Sequence, residues 1–199
     1  MELLLATHNA HKTREFAELL GDEFKISDLS GAPRSAAIEE TGGTFAENAI
    51  LKAVTASQDR YLLVIADDSG LEVDALDGAP GIYSARYAGE NASDTQNIDK
   101  LLGQLVRNPS VAGPSARFRC VIALARAGKS LGTFEGVVEG TIVDLPRGKR
   151  GFGYDPIFLP KGFDQTFGEL SAEMKNRISH RAKAIAALRK ALPALQPNA

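Results

Sequence analysis

The stretch YLLVIADDSG (residues 61–70) joins a continuous apolar run to two adjacent aspartates. An apolar run of this kind, without polar alternation, predicts a strand that is buried on both faces, as in a parallel sheet covered by helices. The strand should end at Asp67 and Asp68, and ligands of open α/β sheets bind beyond the carboxyl ends of such strands. The stretch therefore predicts an α/β fold with a candidate site at the two aspartates and at Ser69, which follows them.

The segments on either side predict the other layers of an α/β domain. Residues 2–6 predict a first strand, and a helix should follow over residues 12–20. Capping-box spacing in TFAE (44–47) and SDTQ (93–96) marks the starts of two further helices. Later strands are predicted in RFRCVIALARAG and GTFEGVVEGTIVDL, and a last helix in SHRAKAIAALRKAL. This mixed order favours a sheet that is partly parallel and partly antiparallel.

Length and composition favour an ordinary globular protein. The chain has 199 residues, of which 44% are hydrophobic and 24% charged, and this suits one domain over residues 1–199. The formal net charge of -2 gives no electrostatic case for binding nucleic acid or an acidic membrane. The start of the chain has no basic region, and no apolar run approaches the roughly 20 residues of a membrane helix. We expect a cytoplasmic protein whose tail after about Pro193 is flexible.

The single cysteine, Cys120, excludes an intrachain disulfide and is compatible with a reducing compartment. It alternates with Phe118 and Ile122 along a predicted strand, and the sequence offers it no general base. We interpret Cys120 as a core residue rather than a nucleophile.

The loop after the first strand, ATHNAHK (6–12), carries several polar side chains. A strand, a polar loop and a helix start together favour anion binding, because backbone N–H groups and the helix dipole point there. Thr7 and Asn9 can donate further hydrogen bonds, and Lys12 a charge-assisted one, although the Walker A pattern is absent. The alternative is an ordinary helix cap formed by Thr7 or Asn9. The two histidines of the loop should face solvent.

A second acidic pair, Glu39 and Glu40, precedes the predicted helix at residue 44. Two adjacent carboxylates after an apolar strand are costly unless they are solvated, hydrogen-bonded or bound to a cation. Carboxylates converging from this pair and from Asp68 would suit Mg²⁺, which prefers oxygen ligands and substrate phosphates. The alternative is that DDSG forms a turn and that Glu39 and Glu40 lie in water. The residues do not decide between Glu39 and Glu40 as the ligand.

The segment GFGYDPIF (151–158) combines two glycines with three aromatic residues. Such a loop can stack an aromatic ring on a planar base. Further along, Lys175, His180 and Arg181 could donate to the 6-keto oxygen of hypoxanthine or xanthine, an acceptor that adenine lacks. The alternatives are a bent loop whose aromatic rings fill the core, and a solvated basic face.

Several segments, in order over nearly the whole chain, are similar to one known family. They are THNAHK, EETGGTFAENAILKA, IADDSGLEVDALDGAPGIYSARYAG, GFGYDPIF and SHR. The chain resembles the inosine triphosphate pyrophosphatase-like family, also called Ham1-like proteins or XTP/dITP diphosphatases. The resemblance implies an elongated α/β fold with two lobes around a central substrate cleft, commonly in a homodimer. It also implies hydrolysis of ITP, dITP and XTP to the monophosphate and pyrophosphate, with Mg²⁺.

The resemblance further implies roles for individual residues. Asp68 matches the proton acceptor and a metal ligand, Glu39 a second metal ligand, and Ser69 a substrate contact. The other matching positions would bind substrate: Thr7, His8, Asn9, Ala10, His11 and Lys12 at the triphosphate, and Phe152, Gly153, Tyr154, Asp155, Lys175, His180 and Arg181 at the base and sugar. His8 departs from the family, since many relatives have glycine there, and its bulk could alter how closely the backbone approaches a phosphate.

Two rival interpretations stay open. A related pyrophosphatase would act on modified pyrimidine or methylated nucleotides, and a comparison of purine and pyrimidine substrates separates the two. A nucleotide sensor without catalysis would bind the triphosphate and release no pyrophosphate. The acidic residues Glu39 and Asp68 argue against a sensor, because simple binding needs no acid that activates water.

Overall fold

The computed structural model describes residues 1–30, 38–107 and 113–195, and contains a six-stranded sheet of order β2-β1-β3-β4-β5-β6. The strands are β1 (Glu2–Leu5), β2 (Lys25–Asp28), β3 (Leu63–Val73), β4 (Ser115–Arg126), β5 (Lys129–Ile142) and β6 (Phe158–Pro160). The helices are α1 (Ala10–Leu20), α2 (Phe45–Ser57), α3 (Asp94–Arg107), α4 (Ala172–Ile178) and α5 (His180–Ala191). Strand β1 pairs in parallel with β2 and β3, whereas β5 and β6 are antiparallel. The predicted α/β class and mixed sheet are confirmed.

The chain forms two compact units. Unit 1 comprises Met1–Asp68, Cys120–Gly136 and the chain from Arg181 onward, and unit 2 comprises Ser69–Arg119 and Val137–His180. Strand β3 passes from unit 1 into unit 2 between Asp68 and Ser69. Within the described ranges, no helix is both long and apolar enough to cross a membrane.

Each unit has its own apolar core. In unit 1, Leu3 and Leu5 of β1 pack with Ile65 of β3, Phe16 of α1 and Leu188 of α5. The same core contains Cys120, which is fully buried, and its interpretation as a core residue is confirmed. In unit 2, aromatic residues of β4, β6 and the following loop pack together: Phe118, Phe158 and Phe167. Full burial of each large apolar side chain stabilises the fold by about 1.5–3 kcal/mol.

Strand β3 is longer than the sequence predicts. The expected strand ended before Asp67, but the observed strand runs over Leu63–Val73, so both aspartates lie within it and are buried. The expectation of a strand end and the alternative of a DDSG turn are both wrong. The physical reason is that buried carboxylates are tolerated in a strand when cations and donors from other elements compensate them.

Local capping signals fix the helix starts. Thr44 Oγ1 accepts from Glu47 N (3.1 Å), while the Glu47 carboxylate accepts from Gly43 N rather than from Thr44. At α3, Ser93 Oγ accepts from Gln96 N (3.2 Å) and Gln96 Oε1 accepts from Ser93 N (2.8 Å), which confirms a reciprocal capping box.

Several element boundaries differ from the prediction, among them the start of α1 and the end of the last helix. Helix α1 begins at Ala10 instead of residue 12, because Asn9 caps it. At the other end of the chain, Leu192–Leu195 form a 3₁₀ turn after α5. The rest of the predicted tail, residues 196–199, lies outside the described residues.

Candidate active site

The loop after β1 forms a helix cap. Asn9 Oδ1 accepts from the backbone N–H groups of His11 (2.9 Å) and Lys12 (3.3 Å), and Thr7 Oγ1 accepts from Asn9 N (3.1 Å). Ala10 and His11 are exposed, whereas Thr7, His8 and Lys12 are half-buried. The capping alternative is therefore correct for this loop. It leaves the N-terminus of α1 at the surface, where a helix dipole favours an anion.

Asp67 forms two ion pairs within unit 1. Its Oδ1 lies 3.0 Å from Lys12 Nζ, and its Oδ2 lies 3.2 Å from a guanidinium nitrogen of Arg181. Burial raises the pKa of Asp67, but the charges of Lys12 and Arg181 outweigh burial and hold that pKa well below its usual range. Asp67 therefore stays ionised at neutral pH and pairs with two cations.

Asp68 faces a different set of partners, because successive strand residues point to opposite sides. Its Oδ2 accepts from Asn48 Nδ2 (3.1 Å), and its Oδ1 lies 3.7 Å from Lys52 Nζ. Burial raises the pKa of Asp68; Lys52 opposes this rise and the nearby Glu40 adds to it. A carboxyl group with a raised pKa and a specific cationic partner is typical of a functional site.

Of the acidic pair before α2, Glu40 lies on the side of Asp68. Its Oε1 is 2.6 Å from Lys52 Nζ, so one ammonium group contacts both carboxylates, whereas Glu39 is exposed. The charges of Asp68 and Glu40 outweigh burial and raise the pKa of Lys52, which keeps it protonated. Glu40 therefore shares the Lys52 ammonium group with Asp68, while the choice of metal ligand between Glu39 and Glu40 stays a prediction.

These carboxylates fit a Mg²⁺ ion that is completed by substrate. Among the described residues, no group of three or more acidic, histidine or cysteine side chains could hold a metal by itself. Mg²⁺ is usually held by one or two carboxylates together with water and substrate phosphates. Asp68 with one glutamate supplies that donor set.

In unit 2, Asp155 and Lys175 form a buried ion pair of 2.7 Å. Asp155 also accepts from Phe152 N (2.9 Å), and Lys175 Nζ lies 5.0 Å from the centre of the Phe152 ring. Gly151 has φ +75°, and a Cβ on it would lie 1.9 Å from Asp155 Oδ2, so only glycine fits there. The structure thus brings together a half-buried aromatic ring, a cation and an anion from the predicted base-binding set.

The other predicted base contacts have structural partners. The Tyr154 hydroxyl donates to the carbonyl oxygen of Ser84 (3.0 Å), and the His180 ring stacks on Phe118 with centroids 4.8 Å apart. Arg181 belongs to unit 1, where its buried guanidinium pairs with Asp67 and Glu15. Gly153 donates its N–H to the Asp94 carboxylate (2.6 Å), and Ser69 is half-buried in β3. Their contacts with substrate stay predictions.

Sequence reasoning missed Asn48 and Lys52, α2 residues that contact Asp68. They are four residues apart and therefore lie on one face of the helix. They flank the apolar stripe that contains Ala49 and Ala53, both fully buried. Two polar residues at helical spacing, next to an apolar stripe, were the sequence signal that could have identified them.

Comparison with known proteins identifies the family. The chain matches the model of the Ham1 family over residues 3–191. The dITP/XTP pyrophosphatase of Bacillus licheniformis is 50% identical over 185 residues, which cover 92% of this chain and 94% of that protein. That of Bacillus subtilis is 48% identical over 194 residues, 97% of this chain and 98% of that one. The solved structure of the Staphylococcus aureus Ham1 protein has a TM-score of 0.86 at 44% identity and covers 98% of this chain and 100% of its own. As its sequence motifs predict, this chain belongs to the Ham1 family.

Proposed function

We propose that the protein hydrolyses deaminated purine nucleoside triphosphates, ITP, dITP and XTP, to the monophosphate and pyrophosphate. Its relatives with 48–50% identity over nearly their full length carry the name dITP/XTP pyrophosphatase. The structural observation that carries the proposal is Asp68, a buried carboxylate with a raised pKa, held between an amide and a lysine. By removing these nucleotides the enzyme would keep deaminated bases out of nucleic acid.

Phosphate binding is assigned to the first loop, which ends at Lys12. The N-terminus of α1 offers a positive helix end, and residues Thr7 to Lys12 surround it. The Lys12 ammonium is held by Asp67 at 3.0 Å, which fixes its position before substrate arrives. A positioned cation of this kind stabilises the charge that develops during phosphoryl transfer.

Enzymes that hydrolyse phosphoric anhydrides generally use a metal ion, and Mg²⁺ fits this site. Asp68 would hold it together with a glutamate of the pair Glu39 and Glu40. When bound, the ion would neutralise phosphate charge. In the protein without metal or substrate, the positive charge of Lys52 compensates the negative charges of the Glu40 and Asp68 carboxylates.

Asp68 is proposed as the general base. It would orient a water molecule towards the α-phosphorus and take its proton as the new phosphorus–oxygen bond forms. The bond from the α-phosphorus to the bridging oxygen breaks, and pyrophosphate leaves with that oxygen. The hydrogen bond from Asn48 and the ion pair with Lys52 hold the Asp68 carboxylate in place for this role.

Base recognition is assigned to unit 2. The Phe152 ring offers a stacking surface, and Lys175 could donate to a 6-keto oxygen. The 6-amino group of adenine would find no acceptor at an ammonium group. Asp155 holds Lys175 and the Phe152 backbone in place. Gly153, Tyr154 and His180 complete the proposed base set through family resemblance, which also assigns substrate contacts to Ser69 and Arg181.

Pyrophosphate release from a panel of nucleotides tests the proposal. The full-length protein is incubated with Mg²⁺ and, in parallel, ITP, dITP, XTP, GTP, ATP and TTP. Fast release from the first three alone supports the proposed reaction and base preference. Release from GTP, ATP or TTP instead would overturn the base assignment, and binding without release would identify a sensor.

The family resemblance also leads us to propose a homodimer that acts in the cytoplasm on a small-molecule nucleotide. Sedimentation equilibrium at micromolar concentration tests the assembly, since the chain has a mass of 21.2 kDa. A single species of monomer mass would contradict the proposed dimer.

A further inference from the structure

Asn48 is a fully buried amide that connects two parts of the proposed site. Its Oδ1 accepts from the backbone N–H of Gly42 (2.8 Å), and its Nδ2 donates to Asp68 Oδ2 (3.1 Å). Gly42 follows the segment that carries Glu39 and Glu40. One side chain thus links that segment to the carboxylate in β3.

The direction of the Asn48 amide is fixed by its neighbours. A backbone N–H can only donate, so the Asn48 atom that faces Gly42 must be the oxygen. The amide nitrogen therefore faces Asp68, where a carboxylate oxygen can accept. A Cβ on Gly42 would lie 2.7 Å from Asn48 Oδ1, so a larger residue at 42 would disturb this hydrogen bond.

We propose that Asn48 is a positioning residue, which sets the rotation of the Asp68 carboxylate and ties it to the glutamate-bearing segment. Without its amide, Asp68 Oδ2 would lose a donor in a buried setting and the carboxylate could turn about its χ2 bond. The inference rests on the proposed function, in which Asp68 orients the attacking water. Asn48 acts only through Asp68.

Asn97 in α3 provides a matched control. It is also buried and is also the fourth residue of its helix, after a side-chain cap at Ser93. Its Oδ1 accepts from Ala88 N (2.7 Å) and its Nδ2 donates to the carbonyl oxygen of Ala85 (3.2 Å). In both residues the amide oxygen accepts from a backbone N–H group and the amide nitrogen donates to an oxygen. The difference is the acceptor, which is a carboxylate for Asn48 and a backbone carbonyl for Asn97.

Thermal unfolding without metal or nucleotide tests the hydrogen bond between Asn48 and Asp68. Asn48→Asp keeps the acceptor for Gly42 but sets a second carboxylate against Asp68, so its Tm should fall by about 5 °C or more. Adding Asp68→Asn supplies a donor to that new carboxylate and should restore at least half of the loss. In the Asn97→Asp background, Asp68→Asn should have only the effect that it has in the wild type. The Asn97 side chain bonds to Ala88 and Ala85 instead of to Asp68, and substitutions without a shared partner are additive.

Kinetics test the positioning role. Asn48→Ser removes the amide without adding charge, and kcat should fall about 10–100-fold, the range for residues that orient a metal ligand. The KM for ITP should change much less, and Asn97→Ser should keep kcat within about twofold of the wild type. A kcat of Asn48→Ser within that same twofold range would overturn the proposal.

The two experiments separate this inference from the proposed function. If the wild type releases pyrophosphate from no nucleotide, the proposed function fails, while the thermal experiment still decides on Asn48. The inference is supported if Asp68→Asn raises the Tm of Asn48→Asp but not that of Asn97→Asp. Equal behaviour in both backgrounds overturns it, whatever the activity of the wild type.

Discussion

Arg181 and Asp67 are 114 residues apart in sequence, yet their side chains form an ion pair of 3.2 Å in which each is only 1% exposed. The Arg181 guanidinium also donates to the Glu15 carboxylate. Buried charges of this kind are stable only while they stay paired. This contact therefore holds β3, α1 and the start of α5 together within unit 1.

Asp67→Asn should destabilise the protein by about 3 kcal/mol, the lower end of the range for breaking a buried pair, because Glu15 still partners Arg181. Urea unfolding followed by circular dichroism measures the loss. Glu173→Gln is the control, since Glu173 and Arg177 form an exposed pair worth about 0.5 kcal/mol or less. Equal losses in the two variants would contradict a stabilising role for the buried pair.

The penalty of Asp67→Asn should depend on pH. The folded-state pKa of Asp67 is depressed, so its ionisation stabilises the fold fully above the unfolded-state pKa, and this contribution is lost as pH falls towards the folded value. The difference in unfolding free energy between wild type and variant should be constant from pH 5 to 7 and shrink below about pH 4. If the difference in unfolding free energy grew on acidification, the pKa of Asp67 would be raised in the folded protein and not lowered.

Asp68→Asn should lower kcat by about 10²–10⁴-fold if Asp68 is the general base. The fold should persist, because the amide is isosteric with the carboxyl group. Glu72→Gln on the same strand removes a charge that pairs with Arg119 and should leave kcat within about twofold of the wild type. Pyrophosphate release at saturating ITP gives both numbers, and near-normal turnover of Asp68→Asn would exclude Asp68 as the base.

Gly151→Ala should weaken base binding in addition to lowering the stability of the fold. Gly151 and Gly162 both have positive φ, +75° and +87°, but only at Gly151 would a Cβ strike Asp155. Gly162→Ala should cost about 1–2 kcal/mol from backbone strain, with the KM for ITP unchanged. Gly151→Ala should cost more and raise that KM, because Asp155 must move away from Lys175. If the KM values of the two variants match, Asp155 does not organise the base site.

Cys120 should be unreactive in the folded protein. Burial, aided by the Asp67 charge, raises the pKa of its thiol to about 12, so almost no thiolate exists at pH 8. A thiol reagent such as dithionitrobenzoate should label none of the native protein and one site per chain after unfolding in urea, since the sequence has 1 cysteine. Fast labelling of the native protein would mean that the unit 1 core opens readily.

Local patterns predict the starts of α2 and α3 well, whereas α4 was not predicted. The starts of α2 and α3 follow from Thr44 and Ser93, because a cap and its partner lie within four residues of each other. The apolar stripe of α2 places Ala49 and Ala53 in the core without any knowledge of distant residues.

Contacts between distant segments are what the sequence does not reveal. The extent of β3 depends on Lys12 and Arg181, which compensate Asp67 from opposite ends of the chain. Nothing in the sequence indicates that the Arg181 guanidinium is buried beside two acids, Asp67 and Glu15. Likewise, the ion pair between Glu40 and Lys52 depends on the position of Lys52, which only the packing of α2 defines.

The core of unit 1 is assembled from three separate parts of the chain, and this has a consequence for its biosynthesis. The ribosome makes all of unit 2 before Arg181, while α5, which brings Ile185 and Leu188 to the core of unit 1, comes afterwards. Leu3, Leu5 and Ile65 therefore lack part of their packing throughout translation. At about 5–20 residues per second, we expect this nascent intermediate to last for seconds and to expose an apolar sheet face that chaperones bind.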